Sequence, residues 1–262
     1  GIRKLSSVGK FFGKYFPEYD SNYWLTYKGL EFANKDVFDE IKSANFKGIG
    51  APRAELFFPM LFDKIDPNVF QDKRQLFSEF WDFKRENSAF LGTQFHLNQE
   101  KKHEKNGFII NPFTEEKFKL ITHNKIFDNE SVVYNLKDLE DGAYSEILLF
   151  DLEVGVAGQV DELFVKTIKK KKNIWINDSK TNEEKPDKSN MQKAYPPLDE
   201  LDNCKHNKYS MQLSSYAYIL ERAGCVIQDL AYTFYKDYNE ECYETVKVEY
   251  FRDFCENIFQ KP

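Results

Sequence analysis

An acid and an amine stand at alternate positions at the end of an apolar segment. In I-W-I-N-D-S-K, at 174 to 180, side-chain alternation puts Asp178 and Lys180 on one strand face with Ile174 and Ile176. Burying either charge alone is unfavourable, so this pair needs a partner or a bound cation. The alternative interpretation is a structural Asp–Lys ion pair at the end of a strand.

Two further carboxylates lie on apolar segments earlier in the chain. Asp161 stands in G-Q-V-D-E-L-F-V at 158 to 165, and Glu146 stands in S-E-I-L-L-F at 145 to 150. Carboxylates that meet on adjacent strands suit Mg²⁺ or Mn²⁺, which take one or two of them together with water. The alternatives are a pairing across the hairpin for Asp161 and an exposed edge position for Glu146.

Two predicted helices carry polar residues that could complete a site. His96 lies on the first helix with Thr93 close to it, and imidazole is a ligand for Mn²⁺. Gln212 and Tyr216 lie four residues apart on the second helix, at the margin of an apolar stripe. The alternative for His96 is a packing or surface histidine, and the stripe itself indicates ordinary core packing.

The elements that must position these residues predict an α/β fold with a central mixed β-sheet flanked by helices. Residues 1–85 are predicted to be mostly helical, with aromatic residues at helical spacing in 55–62 and 76–83. The part of the chain after residue 85 is predicted to contain both helices and strands. Its predicted helices are 86–105 and 209–223, and its predicted strands are 144–152, 154–167, 173–181, 226–235 and 243–250.

Composition restricts how the chain could meet its partners. The net charge is −6, so any attraction to nucleic acid must come from a local cluster of lysines. Lys169, Lys170, Lys171 and Lys172 form such a cluster, for which a solvated hairpin turn is the alternative. The sequence has no apolar run of about 18 residues, so we expect no membrane partner and a cytoplasmic location.

Taken in order, the motifs resemble the RecB-like and phage exonuclease branch of the PD-(D/E)XK nuclease superfamily. They are G-T-Q-F-H at 92–96, Glu146, G-Q-V-D at 158–161, D-S-K at 178–180 and Q-L-S-S-Y at 212–216. Similar motifs occur in RecB and AddB nuclease domains and in the mitochondrial genome-maintenance exonuclease. The resemblance covers roughly residues 86–236. The sequence departs from it at Ser179, where the family often has an aromatic or aliphatic residue.

The resemblance implies a restriction-endonuclease-like core over 86–262, with the helical region 1–85 packed on it or arching over it. It implies Mg²⁺ or Mn²⁺ as cofactor. The implied metal ligands are His96, Asp161, Asp178 and the Ser179 carbonyl, with Glu146 binding directly or through water. The implied catalytic residues are Glu146, Asp161, Asp178, Lys180, Gln212 and Tyr216. DNA contacts are expected at Thr93 and at the four lysines.

The positions of the cysteines in the sequence argue against an iron–sulfur cluster. Some relatives bind an iron–sulfur cluster through one cysteine before the nuclease core and three clustered after it. Here all four, Cys204, Cys225, Cys242 and Cys255, are late and dispersed, with no C-x-x-C pair. We therefore expect no iron–sulfur cluster and read these cysteines as reduced.

The implied activity is hydrolysis of DNA phosphodiester bonds. An exonuclease acting on single-stranded DNA or DNA ends is expected, in repair, recombination or phage DNA processing, with recombination or replication proteins as further partners. A phage-encoded enzyme would act in the host cytoplasm. The alternatives are a flap or branch endonuclease and a non-catalytic DNA-binding module of a recombination complex.

Overall fold

The computed structural model describes residues 5–18, 20–39, 63–122, 139–182, 185–189 and 192–260. The chain divides into two compact units. One contains residues 1–17 and 92–262, and the other contains residues 18–91. We expected a helical region over 1–85 and a core over 86–262. In the structure the first 17 residues fall in the same unit as the sheet, because they contribute a strand and a helix to it.

A mixed β-sheet forms the centre of the larger unit. Its six strands among the described residues are β1 (Ser6–Ser7), β4 (Gly142–Asp151), β5 (Val156–Ile168), β6 (Lys171–Asn182), β7 (Val226–Lys236) and β8 (Tyr243–Val248). The pairs β1–β5 and β6–β7 are parallel, and the pairs β4–β5, β5–β6 and β7–β8 are antiparallel. A separate hairpin joins β2 (Phe108–Ile110) to β3 (Lys117–Lys119).

Helices flank this sheet, so the α/β prediction is confirmed. They are α1 (Val8–Gly13), the part of α3 (Pro67–Asn106) that follows residue 91, α4 (Lys205–Arg222) and α5 (Arg252–Ile258). The α4 helix buries a stripe that includes Leu213, Ala217 and Leu220 in the main core. Ile174 and Ile176 of β6 belong to the same core, whereas Trp175 packs in a smaller cluster with Ile109, Phe118, Ala143 and Phe164. The faces of β6 therefore alternate as the sequence predicted.

The strands β5 and β6 are paired near their hairpin turn and separate toward the start of β5. They pair from Ile168 and Lys171 as far as Glu162 and Asn177. Beyond that point β6 continues only beside β7, and the start of β5 pairs instead with the two residues of β1. Within the described residues, the 158–161 stretch of β5 has no ladder partner on this side. Asp161 lies at this gap.

A tyrosine of α4 fills part of the gap. A Cβ atom added to Gly158 would lie 2.6 Å from Cε1 of Tyr216 and 2.9 Å from Cγ2 of Val8. Both of these side chains are almost fully buried, so neither can move aside easily. The glycine of the G-Q-V-D motif is thus required by the close approach of the tyrosine from the Q-L-S-S-Y motif.

The smaller unit is helical where it is described. The α2 helix (Ser21–Ala33) is capped at its N-terminus by Asp20, whose Oδ1 accepts a hydrogen bond of 2.9 Å from the Tyr23 amide. Its core contains Leu30, Phe38, Ile65 and Phe70. Residues 76–83 lie in α3 as predicted, and residues 55–62 lie outside the described residues. A membrane-crossing helix would need a long apolar run, and the described helices contain none.

We expect Gly158→Ala to lower the free energy of unfolding by about 1–3 kcal/mol, because its Cβ overlaps the ring of Tyr216. Gly9→Ala in α1 is the matched control. A Cβ at Gly9 meets nothing within 4 Å, so this change should leave stability unchanged or slightly higher. Urea unfolding of both variants measures the difference. Equal stabilities for the two variants would show that the close approach does not exist.

Candidate metal centre

Three side chains from three different elements bring metal-binding atoms together. His96 Nδ1 lies 3.4 Å from Glu146 Oε1 and 3.5 Å from Asp161 Oδ2. One ligand atom from each residue lies within 4.8 Å of the other two. No other group of three such residues occurs in the described part of the chain. The side chains are partly exposed, with between 14% and 31% of each accessible, so solvent and a substrate can reach them.

The sheet sets the positions of the two acids. The register pairs Ser145 with Glu162 and Ile147 with Val160, which puts Glu146 opposite Asp161. Glu146 has a φ of +57° in the middle of β4, a conformation that non-glycine residues adopt at a cost of about 1–3 kcal/mol. Strain of this kind is concentrated at functional sites, and here it belongs to a residue of the acidic cluster.

Lys180 is held from several directions. Its ammonium contacts Oδ2 of Asp178, which is 2% exposed and has no other recorded partner among the described residues. The same ammonium donates a hydrogen bond of 3.4 Å to Oε1 of Gln212 and lies 4.9 Å from the ring centroid of Tyr209. Gln212 in turn donates from Nε2 to the Tyr216 hydroxyl at 3.1 Å. The two helical residues predicted beside the site therefore position the lysine.

The charges at this site shift one another. The hydrogen bond to Glu146 raises the pKa of His96 to about 9, against the effect of burial, and the negative charge of Asp161 adds to the rise. Burial, followed by repulsion from Asp178, raises the pKa of Asp161 well above its usual range. Burial alone would lower the pKa of Lys180, but Asp178 and Asp161 outweigh it and raise that pKa.

The predicted ligand set is assembled only in part. His96, Asp161 and Glu146 converge, whereas Asp178 is directed to the ammonium of Lys180 and lies outside the group of three. Ser179 reaches the site through its backbone amide, which donates to Asp161 Oδ2 at 2.7 Å. The roles predicted for Asp178 and for the Ser179 carbonyl as metal ligands, and for Thr93 as a DNA contact, stay predictions.

The four lysines lie at the far end of the β5–β6 hairpin. Lys169 and Lys170 form its turn with φ of 49° and 65°, and Lys171 and Lys172 begin β6. Lys172 Nζ donates to the carbonyl of Leu139. Ile168, the last residue before the turn, comes seven positions after Asp161, which is about 23 Å in an extended strand. Any DNA contact at the turn would therefore be remote from the acidic cluster.

Sequence reasoning missed two features of the site. The apolar stripe of the helix predicted over 209–223 indicated core packing, yet it includes Tyr209, which lies three residues before Gln212 on the same helix and contacts Lys180. His103 was not considered, although it lies two helical turns after His96. Its Nε2 is 3.5 Å from Oε1 of Glu162, and burial raises the pKa of Glu162 to about 7.

Comparison of the chain with family models, with curated proteins and with solved structures found no match.

We expect binding of a divalent cation to release protons from His96. The pKa of His96 lies above its ordinary value of 6.5, so its proton stabilises the fold fully below pH 6.5 and this contribution is lost as pH rises through about 9. A metal needs the neutral imidazole, so Mg²⁺ should bind more tightly as pH rises from 7 to 8.5.

Calorimetry in buffers of different ionisation enthalpy measures the protons released on binding. At pH 7.5, His96→Gln should release about one proton fewer than the wild type and should lose most of the pH dependence of affinity. Equal proton counts for the two proteins would exclude His96 as the titrating ligand.

Proposed function

We propose that the chain is a divalent-metal-dependent DNA nuclease with a restriction-endonuclease-like core of the PD-(D/E)XK type. One observation carries the proposal. Three potential metal ligands from α3, β4 and β5 lie beside a buried carboxylate–lysine pair at the point where two central strands separate. The order of the sequence motifs supports the same assignment.

The residues present fit magnesium or manganese. One imidazole nitrogen and two carboxylates form a hard, mainly oxygen ligand set, and the partial exposure of the side chains leaves room for water and a phosphate oxygen. The hydrogen bond to Glu146 and the charge of Asp161 raise the pKa of His96, and repulsion from Asp178 adds to the effect of burial on the pKa of Asp161, so a cation would be favoured among these acids. When bound, such a cation would polarise the scissile phosphate and lower the pKa of the attacking water.

Lys180 acts as a fixed positive charge in this proposal. Because the neighbouring acids raise its pKa, it stays protonated near neutral pH and is unsuited to act as a general base. Its contacts with Asp178, Gln212 and Tyr209 limit where the ammonium can move. A preorganised cation next to the acidic cluster can stabilise the negative charge that develops on a phosphate during hydrolysis.

Asp178 and the two helical residues act through the lysine. Asp178 is buried against the ammonium, and Gln212 connects that ammonium to the Tyr216 hydroxyl. Tyr216 also fills the gap beside Gly158, so one tyrosine links the position of Lys180 to the opening between β5 and β6. Loss of either helical residue should therefore weaken activity less than loss of Lys180.

The proposed substrate is single-stranded DNA or the ends of DNA. The family resemblance suggests that the enzyme is an exonuclease. A closed circular single strand and its linear form distinguish the modes, since an exonuclease degrades only the linear form. A flap or branch endonuclease would cut at a junction within a strand. Partners in repair, recombination or phage DNA processing belong to the same proposal.

We expect Lys180→Ala and Asp161→Asn to reduce cleavage of labelled DNA with Mg²⁺ by at least about a hundredfold, since each removes charge from the proposed reaction centre. The two variants should differ in metal binding. Lys180→Ala keeps all three ligands and should retain Mn²⁺ binding, whereas Asp161→Asn should lose most of it.

Lys185→Ala is the matched control, because Lys185 is an exposed lysine paired with Glu244. It should cleave DNA at the wild-type rate. Circular dichroism melting checks that each variant is folded. Undiminished magnesium-dependent cleavage by folded Lys180→Ala protein would exclude the assignment, and absence of cleavage by a wild-type protein that binds DNA would favour the non-catalytic module.

A further inference from the structure

A polar cavity of about 300 Å³ lies beside the candidate metal centre, within the larger unit. Residues of α3 form one wall, including Gln99, His103 and Asn106. Glu162 and Asn177 line it from the sheet, and they are the last pair of the β5–β6 ladder. Because neighbouring side chains alternate along a strand, these two residues project to the face opposite to Asp161 and Asp178.

A hydrogen-bonded row of polar side chains crosses four strands at this cavity. Asn177 Nδ2 donates to Glu162 Oε2 at 2.9 Å, and Thr233 Oγ1 donates to Asn177 Oδ1 at 2.9 Å. The hydroxyls of Thr233 and Thr245 lie 3.1 Å apart. His103 contacts the row at Glu162, with Nε2 3.5 Å from Oε1, and its Nδ1 lies 3.4 Å from the Ser145 hydroxyl. The row links β5, β6, β7 and β8.

This row replaces the apolar packing that the same face has nearby. Phe164 and Trp175, on the same two strands, pack against Ile109 and Phe118. Asn177 and Thr233 are each only 3% exposed, and burying a polar side chain is unfavourable unless its hydrogen bonds are made. The hydrogen bonds within the row satisfy these groups, and the cavity therefore presents polar atoms to a bound ligand where the neighbouring part of the face is apolar.

The lining limits the chemistry of that ligand. Glu162 and Glu240 repel an anion, and the one lysine in the lining, Lys102, already pairs with Glu240 at 2.6 Å. A phosphate is therefore unsuited to the cavity. Aromatic rings of Phe108, Tyr235 and Tyr243 form further walls. Flat rings beside amide and carboxylate groups suit a neutral, planar molecule with a polar edge.

We propose that this cavity binds an unpaired nucleobase of the DNA strand whose phosphate lies at the candidate metal centre. The proposal rests on the nuclease function and names how the substrate strand is held. The aromatic rings of the cavity stack on the base, and the polar row forms hydrogen bonds with the edge of the base. Glu162 accepts hydrogen bonds, which favours bases with an exocyclic amine. Thymine has no such amine and has a carbonyl on each side of its single edge N–H, so it is disfavoured.

The two sites lie close enough for one strand to reach both, because α3 contacts both of them. His103 follows His96 by seven residues on the continuous helix α3, which corresponds to about 10 Å along the helix axis. On the sheet, Glu162 is the residue directly after Asp161. One strand can therefore have a phosphate at the acidic cluster and a base in the cavity.

Fluorescence anisotropy of dye-labelled eight-nucleotide strands tests the proposal, in EDTA at pH 7.5 so that no cleavage occurs. The wild type should bind oligodeoxycytidine about tenfold more tightly than oligothymidine. Tyr243→Ala should weaken binding of oligodeoxycytidine by about tenfold through the loss of one stacking wall. Tyr243 is 63% exposed, so the variant should fold. Tyr195→Ala is the matched control, since Tyr195 is 54% exposed and lies outside the cavity.

Two results would overturn the proposal: equal affinities of the wild type for the two strands, or wild-type affinity of Tyr243→Ala for oligodeoxycytidine. Neither depends on cleavage. Base-selective binding without magnesium-dependent cleavage would reject the nuclease function alone. Cleavage without base-selective binding would reject the nucleobase cavity alone.

Discussion

The separation of β5 from β6 is the constraint on which the site depends. Two antiparallel strands that stayed paired to their ends would satisfy their backbone groups and leave no opening. Here the pairing of β5 with β6 ends at Glu162 and Asn177, and the start of β5 pairs with β1 instead. The Ser179 amide then donates to the carboxylate of Asp161 at 2.7 Å, and Tyr216 occupies the space beside Gly158. Backbone separation thus creates the place where acidic side chains and a ligand can meet.

Electrostatics support the proposal that a cation binds in the opening. Glu146, Asp161 and Asp178 lie near one ammonium, that of Lys180, and one imidazole, that of His96. The hydrogen bond to Glu146 and the charge of Asp161 raise the pKa of His96 to about 9, so the imidazole holds a proton at neutral pH; burial, followed by repulsion from Asp178, raises the pKa of Asp161. A divalent cation would replace the proton of His96. The positive φ of Glu146 fits this account, because a site that gains free energy from a ligand can tolerate local strain.

Much of the fold could be predicted because the sequence periodicities agree with the tertiary structure. The alternation in 174–180 predicted one face for Ile174, Ile176, Asp178 and Lys180, and the structure has the two isoleucines in the main core and the Asp–Lys pair in contact. The helix from 209 was predicted from its apolar stripe and begins four residues earlier, at Lys205. Local patterns suffice for such elements.

Other features depend on contacts between residues far apart in sequence. Nothing near Ser6 and Ser7 indicates that they pair with Val156 and Ala157, some 150 residues later. The left-handed conformation of Glu146 follows from its surroundings, since glutamate has no preference for it. The same holds for His103 and Glu162, whose approach requires α3 to lie over the sheet.

The most direct test of the central claim is the position of a bound cation. Crystals soaked with Mn²⁺ allow its anomalous scattering to locate it among the side chains. The account predicts a peak bound by His96 Nδ1, Glu146 and Asp161, beside the ammonium of Lys180. Absence of a peak there under conditions where the protein binds Mn²⁺ in solution, or a peak elsewhere on the chain, would contradict it.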